Sequence, residues 1–390
     1  MNNIKKDKWE GSTRLRSDGR WETQICIDNV RKSFYGKTET ESKRKMREYR
    51  NKVATGYVQP NKILFSEYCY NWLLFKKFRK VRESTFDRYE STYLHHIKDT
   101  IGVKQLGKIT SKDIQQLLDN KASPIDGSEP LSLSSIKKIV ELVFPCFEYA
   151  MVHKDINENP CIDVVIPKEE YCIKDTKETV ILDEDELNVF KDACLVKTSL
   201  GNYKYKFGLY YILLLNTGLR CGELIALKWS DINFQDKIIT IDKAVQSNVK
   251  DRQLNAENKR KNVVTKPKTK RGTRNIPLNK QTLFYLNEIQ EYNKKYNIQT
   301  EYVASSVTGT MVRARNLQRT LDIITNNANI KHISLHDLRR TFGSTLLRKG
   351  VDISVVSSLM GHSSVRVTYD AYIKIIEEQK TSAIELLDIT

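Results

Sequence analysis

The hydrophobic period of this chain changes twice along its length, which excludes one uniform architecture. Trp21-Glu22-Thr23-Gln24-Ile25-Cys26-Ile27 alternates apolar and polar side chains after a Ser17-Asp18-Gly19 turn, the two-residue period of a half-buried strand. A second strand, Lys32 to Gly36, follows the Asp28-Asn29 turn, and Thr38-Glu39-Thr40-Glu41 opens a helix running to about Val53. Gly56 to Asn61, with Pro60, reads as a linker. Beyond it Phe65, Tyr68, Cys69, Trp72 and Phe75 fall at helical spacing, and further helices are expected near 84–98, 110–120 and 132–154. Pro160 and Pro167 bracket a second linker.

From about residue 176 the pattern is mixed. Asp183 or Asp185 caps a helix, residues 203–216 form an apolar one, and Ile238-Ile239-Thr240-Ile241 reads as a strand. Val263-Val264-Thr265 and Arg274-Asn275-Ile276-Pro277-Leu278 flank Lys266 to Thr273 like the two arms of a hairpin, and helices follow to the end. At 390 residues the chain is too long for one ordinary core. The expected fold class is therefore multidomain. It comprises a small α+β unit over 1–58 (three-stranded sheet plus helix), an all-α unit over 63–167, and a mostly α unit over 176–390 with a small β-sheet or hairpin.

Charge narrows the partner. The chain carries a net charge of +17 and its pI is near 9.3, which calls for a polyanion. The charge is unevenly placed: residues 1–60 hold 15 Lys/Arg against 8 Asp/Glu, and residues 250–274 hold 10 against 2. Separate basic surfaces imply several contacts along one nucleic acid. No apolar run approaches the ~20 residues of a membrane span, and the N-terminus lacks the apolar region of a secretion signal, so a cytoplasmic location is expected. The seven cysteines form no C-x-x-C pair, and neither a disulfide framework nor a metal site is expected.

The chemistry lies in four short segments. They are Asn216-Thr217-Gly218-Leu219-Arg220-Cys221-Gly222-Glu223-Leu224, His336-Asp337-Leu338-Arg339, Met360-Gly361-His362, and Tyr372 ten residues after that histidine. Together they supply two guanidiniums, two imidazoles and a phenol. A phenol is a weak nucleophile at neutral pH because its pKa is ~10, and nearby positive charge lowers that barrier. Attack on a phosphodiester builds negative charge on the non-bridging oxygens, which suits the planar, permanently charged fork of Arg220 and Arg339. A leaving 5′-oxygen needs a proton, for which Lys268 is the first candidate and Lys270 the second.

These residues resemble the tyrosine recombinases, or phage-type integrases. Thr217 to Leu224 is similar to the family's first arginine box, His336-Asp337-Leu338-Arg339 to its H-x-x-R box, and Leu359-Met360-Gly361-His362-Ser363-Ser364 to the stretch carrying the second histidine. Val367-Thr368-Tyr369-Asp370-Ala371-Tyr372 resembles the nucleophile segment, and Pro267-Lys268-Thr269-Lys270 with Arg274 to Leu278 resembles the lysine hairpin. Residues 63–167 resemble the SAM-like helical core-binding domain, and residues 5–56 the three-stranded arm-binding domain of integrases from phages and conjugative transposons. Arg340 stands where the family commonly has a second histidine of that box. Tyr369 stands where an apolar residue is usual; spacing favours Tyr372 as nucleophile and leaves Tyr369 as the alternative.

The resemblance implies strand exchange through a 3′-phosphotyrosyl link and a Holliday junction, integrating and excising a mobile element with no cofactor. Arg220 and Arg339 would clamp the phosphate, His336 would move the nucleophile's proton, His362 would bond a phosphate oxygen, Lys268 would protonate the leaving oxygen and Glu223 would buttress the site. It further implies a homotetramer on two duplexes carrying core and arm sites, with a DNA-bending protein or an excisionase as accessory partner. Arg14, Arg16, Arg20, Lys76, Lys77, Arg79, Lys80, Lys270 and Arg271 are the candidate DNA contacts, Lys76 to Lys80 being followed by the hydroxyls of Ser84 and Thr85. Ile384, Leu386, Leu387 and Ile389 would dock the tail either on a neighbouring protomer or back on its own chain. Two other readings are a type IB topoisomerase, which would use nearly the same site, and a DNA-binding regulator with a degenerate site.

Overall fold

The structure is a computed structural model that describes residues 11–27, 30–54, 62–172, 180–250, 260–266 and 270–385. Its chain contacts divide it into two compact units, Met1–Thr176 and Lys177–Thr390.

The first unit begins with an antiparallel sheet of β1 (Ser12–Leu15), β2 (Trp21–Ile27) and β3 (Val30–Gly36), in that order. The third strand starts at Val30, two residues before the sequence pattern indicates, because Ile27 pairs with Val30. The turn at Asp28-Asn29 lies outside the described residues. Helix α1 (Glu39–Ala54) covers one face, where Ile25 and Met46 are buried and Thr23 Oγ1 meets Ser42 Oγ at 2.8 Å. At the β2 position just before Thr23, Glu22 pairs across the strands with Arg14 and Tyr35.

Four helices follow: α2 (Phe65–Lys76), α3 (Glu83–Thr92), α4 (Ser111–Ala122) and α5 (Leu133–Val152). A wide turn, Tyr93–Ile97, continues α3 to the length read from the sequence. The apolar stripe of α2 is core as its spacing requires, with Phe65, Cys69 and Trp72 buried and Phe65 stacked on Phe147 at 4.4 Å. Phe75, the last member of that stripe, is 62 % exposed instead.

The second unit holds α6 (Glu184–Leu195), α7 (Gly208–Thr217), α8 (Cys221–Ala226), strands β4 (Ile232–Asn233), β5 (Ile238–Ile241), β6 (Ala244–Lys250), β7 (Arg260–Thr265) and β8 (Arg274–Pro277), then α9 (Lys280–Lys295), α10 (Ala314–Asn327), α11 (Leu335–Arg348), α12 (Ile353–Met360) and α13 (Val365–Glu385). Asp183 caps α6 through a reciprocal bond with Glu186. Helix α7 is apolar on every side, so it becomes the centre of the core, packed by α6, α9 and α11.

Two sequence readings are corrected here. The helix expected over 203–216 starts only at Gly208, since Tyr203 bridges to Lys197 in extended conformation. The strands around Lys266 to Thr273 are not arms of one hairpin: β7 pairs with β6, whereas β8 pairs with β5 in a separate sheet with β4. The segment between them is therefore a crossover from one small sheet to another. β6 rests on α8, where a side chain at Gly222 would meet the Val245 carbonyl oxygen at 2.5 Å.

Candidate active site

Helix ends place most of the site. Gly218 terminates α7 in the left-handed region (φ 62°), where a Cβ would run into the Phe342 ring, so glycine is required. The chain then turns at once into α8 with Arg220 at its N-cap. Gly361 ends α12 in the same way (φ 61°) and delivers His362 directly after it. At the start of α11, Asp337 accepts the Ser334 backbone N–H at 2.8 Å and its hydroxyl at 2.6 Å, fixing the first turn that bears His336 and Arg339.

The two arginines are anchored by backbone oxygens and one acid. Arg339 is buried, donating from Nη1 to the Gly218 carbonyl at 2.6 Å and from Nη2 to the Met360 carbonyl. Its Nε finds no acceptor among the described residues. Arg220 donates from Nη1 to Glu223 Oε1 at 2.8 Å and from Nη2 to the Gly361 carbonyl at 3.0 Å. Glu223 also takes Arg274, from Nη2 at 2.8 Å and Nη1 at 3.1 Å.

Electrostatics show that these groups share one field. Burial works to raise the proton affinity of Glu223, but the bonds and charges of Arg274 and then Arg220 outweigh it and hold the carboxyl below its usual range. Burial, then the Arg220 charge, pulls Arg339 down to about 9, still cationic at neutral pH. Burial, then Arg339 and Arg220, pulls His362 down to about 4, and its Nδ1 meets Thr368 Oγ1 at 2.8 Å. The protein around His336, then Arg340 and Arg339, lower that imidazole as well.

Tyr372 sits at a kink in α13 (φ −126°, ψ 20°) and is 2 % exposed. Its hydroxyl donates to Met360 Sδ at 3.5 Å, against Gly343, where any Cβ would overlap the phenol oxygen. Burial pushes the phenol up to about 12, against the pull of Arg339 and Arg340. Tyr369, one turn earlier, is 38 % exposed. A cleft of about 520 Å³ opens beside the group, lined by Arg271, Thr273, Arg274, Ser357 and His362 among others. Among the described residues no cluster of histidine, cysteine and carboxylate side chains fits a metal ion. None of their helices is long and apolar enough to cross a membrane.

Residues 181–379, half of the chain, match the phage integrase family, and residues 64–122 match the N-terminal SAM-like domain of phage integrases. The chain belongs to the phage integrase family. The XerC-like tyrosine recombinase of Caldanaerobacter subterraneus subsp. tengcongensis is 30% identical to this integrase over 376 residues, 92% of each chain. The Tn1549 transposon integrase in complex with a circular intermediate DNA shares its fold, with a TM-score of 0.66 and 18% identity, covering 80% of this chain and 95% of that one. The lambda integrase tetramer bound to a Holliday junction gives a TM-score of 0.56 at 16% identity, covering 90% and 95%. This integrase is a tyrosine site-specific recombinase.

Of the sequence candidates, Arg220, His336, Arg339, His362 and Tyr372 act on one another through their charges in this integrase. Lys268 lies outside the described residues, as does the side chain of Lys270. Arg271 donates to the Ser363 carbonyl at 3.2 Å. In the first unit, Arg14 and Arg16 both pair with Glu22, and Arg20 pairs with Asp18 at 2.8 Å. Lys76, Lys77, Arg79 and Lys80 each lie over an aromatic ring, on Tyr149, Trp72, Phe78 and Phe75 respectively. Arg274 was not among the candidates. Strand alternation carried the signal, since Arg274 shares the inward face of β8 with buried Ile276, and a cation there requires a buried acid.

The depressed His362 gives a pH expectation. Its folded value near 4 lies below the ordinary 6.5, so between those values the unfolded chain binds the extra proton. The contribution to stability is full above the ordinary value and is lost as pH falls from there towards 4. Thermal melting should therefore give a lower Tm at about pH 5 than at about pH 7.5, and His362→Asn should shrink that difference. An unchanged pH slope in the variant would contradict the neutral, buried imidazole.

Proposed function

We propose that this recombinase cuts and rejoins double-stranded DNA at the attachment sites of a mobile element, through a 3′-phosphotyrosyl intermediate on Tyr372 and a Holliday junction. The observation that carries the reading is the convergence of Arg220, Arg339 and the Tyr372 hydroxyl on Met360 and Gly361, directly before His362, with His336 on the same helix as Arg339. Arg220 and Arg339 hold the non-bridging oxygens of the scissile phosphate, Arg339 with its Nε, which has no acceptor among the described residues, as one donor. The Tyr372 oxygen attacks phosphorus and its proton leaves through His336. The bond to the 5′-oxygen breaks, and Lys268 protonates that oxygen. His362 bonds a phosphate oxygen, with Thr368 fixing its ring. The phosphotyrosyl ester keeps the bond energy, so a 5′-hydroxyl from the other duplex can reverse the step.

Residues 176–390 would supply this chemistry, 63–167 would bind the core site, and 1–58 would bind arm sites through the three-stranded sheet. The SAM-like match and the basic side chains at Arg14, Arg16, Arg20 and Lys76 to Lys80 support that division. A homotetramer on two duplexes is supported by the likeness to the lambda integrase tetramer. A DNA-bending protein or excisionase would set direction, and the work would be done in the bacterial cytoplasm at the nucleoid.

The test is a supercoiled plasmid carrying two attachment sites in direct repeat. Deletion into two circles, dependent on both sites, is expected. Relaxation of a plasmid lacking the sites would point to a topoisomerase, and tight site binding with no product to a regulator; either would contradict the proposal.

A further inference from the structure

We infer that Arg274 is a positioning residue, which neutralises buried Glu223 so that the Arg220 guanidinium is left for the phosphate. The inference rests on the strand-cleavage reading above. Arg274 begins β8, and its side chain is 6 % exposed beside a Glu223 that is 3 % exposed. Both carboxylate oxygens accept from its two terminal nitrogens, at 2.8 and 3.1 Å, while its Nε donates to the Leu359 carbonyl at 2.7 Å. One guanidinium thus joins three pieces of the site. These are α8 with Arg220, the end of α12 just before Gly361 and His362, and the strand that follows the Lys268 crossover.

The charges explain why the site needs it. A buried carboxylate without a full partner is costly, and one beside a phosphate repels it. Three guanidiniums (Arg220, Arg274, Arg339) against one carboxylate leave two net positive charges for an incoming phosphate. Remove Arg274 and only one remains, with Glu223 drawing on Arg220 alone. Arg220 already touches Glu223 Oε1 at 2.8 Å, yet its side chain is 39 % exposed, so it is the member of the pair that a substrate reaches. Phosphate and carboxylate would then compete for the same fork. Lysine would restore the charge but not the two-oxygen grip together with the carbonyl bond.

The test is single-turnover formation of the covalent complex on a nicked duplex from the element's own attachment site. Wild type is compared with Arg274→Met, Arg274→Lys and the double variant Arg274→Met/Glu223→Gln, all checked for folding by thermal melting. Arg274→Met should slow cleavage about 100-fold while its DNA affinity changes less than about threefold, with Arg274→Lys between it and wild type. Adding Glu223→Gln should recover about tenfold or more, because the amide no longer competes for Arg220. A double variant no faster than Arg274→Met would overturn the inference. So would full rescue of Arg274→Met by a 5′-bridging phosphorothiolate, whose leaving group needs no proton, since that would place the defect at Lys268. A wild type that forms no adduct would sink the cleavage reading itself, and the inference with it; equal rates for wild type and Arg274→Met would sink the inference alone.

Discussion

Tyr372→Phe is expected to abolish the covalent protein–DNA adduct, lowering its rate of formation by on the order of 10⁴-fold or more, while leaving site binding in place. The phenylalanine loses only the hydroxyl, which touches Met360 Sδ, and keeps the ring that fills the space between α11 and α12. The fold should therefore tolerate the change. Tyr369→Phe serves as the internal control. That side chain is exposed, and the Arg339 charge that acts on Tyr372 is the one expected to steady the phosphorane. Denaturing gels of trapped nicked duplex measure both variants, and an adduct lost only with Tyr369→Phe would move the nucleophile by one helical turn.

The second large effect is at Arg339. Arg339→Lys keeps a positive charge but cannot span the Gly218 and Met360 carbonyls and still present a donor to phosphate. Cleavage should fall by about 10²–10³-fold, the scale for removing one donor from a preorganised oxyanion site. Because those carbonyls terminate α7 and α12, leaving one unsatisfied should also cost about 1–3 kcal/mol of stability, read by urea unfolding. Arg220→Lys provides the contrast, since Arg220 is part-exposed and, among the described residues, bonds a single carbonyl, that of Gly361. A comparable loss of stability in both variants, or a cleavage rate for Arg339→Lys near wild type, would contradict the roles assigned to the two arginines.

What could be read in advance, and what could not, follows from the range of each interaction. His336 and Arg339 lie three residues apart on one helical face, and Gly218 and Gly361 mark helix ends by their own backbone needs. These signals are local, so the residues that meet in the site can be picked out from the sequence alone. Strand partners are not local. Val263 to Thr265 and Arg274 to Leu278 look like neighbours because they are close in sequence, yet their partners are β6, which ends ten residues before β7 begins, and β5, which ends more than thirty before β8. Arg274 escaped notice for the same reason, its acid lying 51 residues away on α8. The kink at Tyr372 has no local signature either, since Val365 to Glu385 reads as one helix. The helix expected from residue 203 begins only at Gly208, because Tyr203 bridges to Lys197 and Lys206-Phe207 form a turn, closed by the Gly208 N–H on the Tyr205 carbonyl.

The central claim is that the Tyr372 oxygen carries the DNA. The direct measurement is mass spectrometry of the purified wild-type adduct, digested with protease and nuclease, to find which residue holds a nucleotide and through which end. The account predicts a peptide spanning Tyr372 with a nucleotide joined through its 3′-phosphate. A nucleotide on Tyr369, or one joined through a 5′-phosphate, would contradict it.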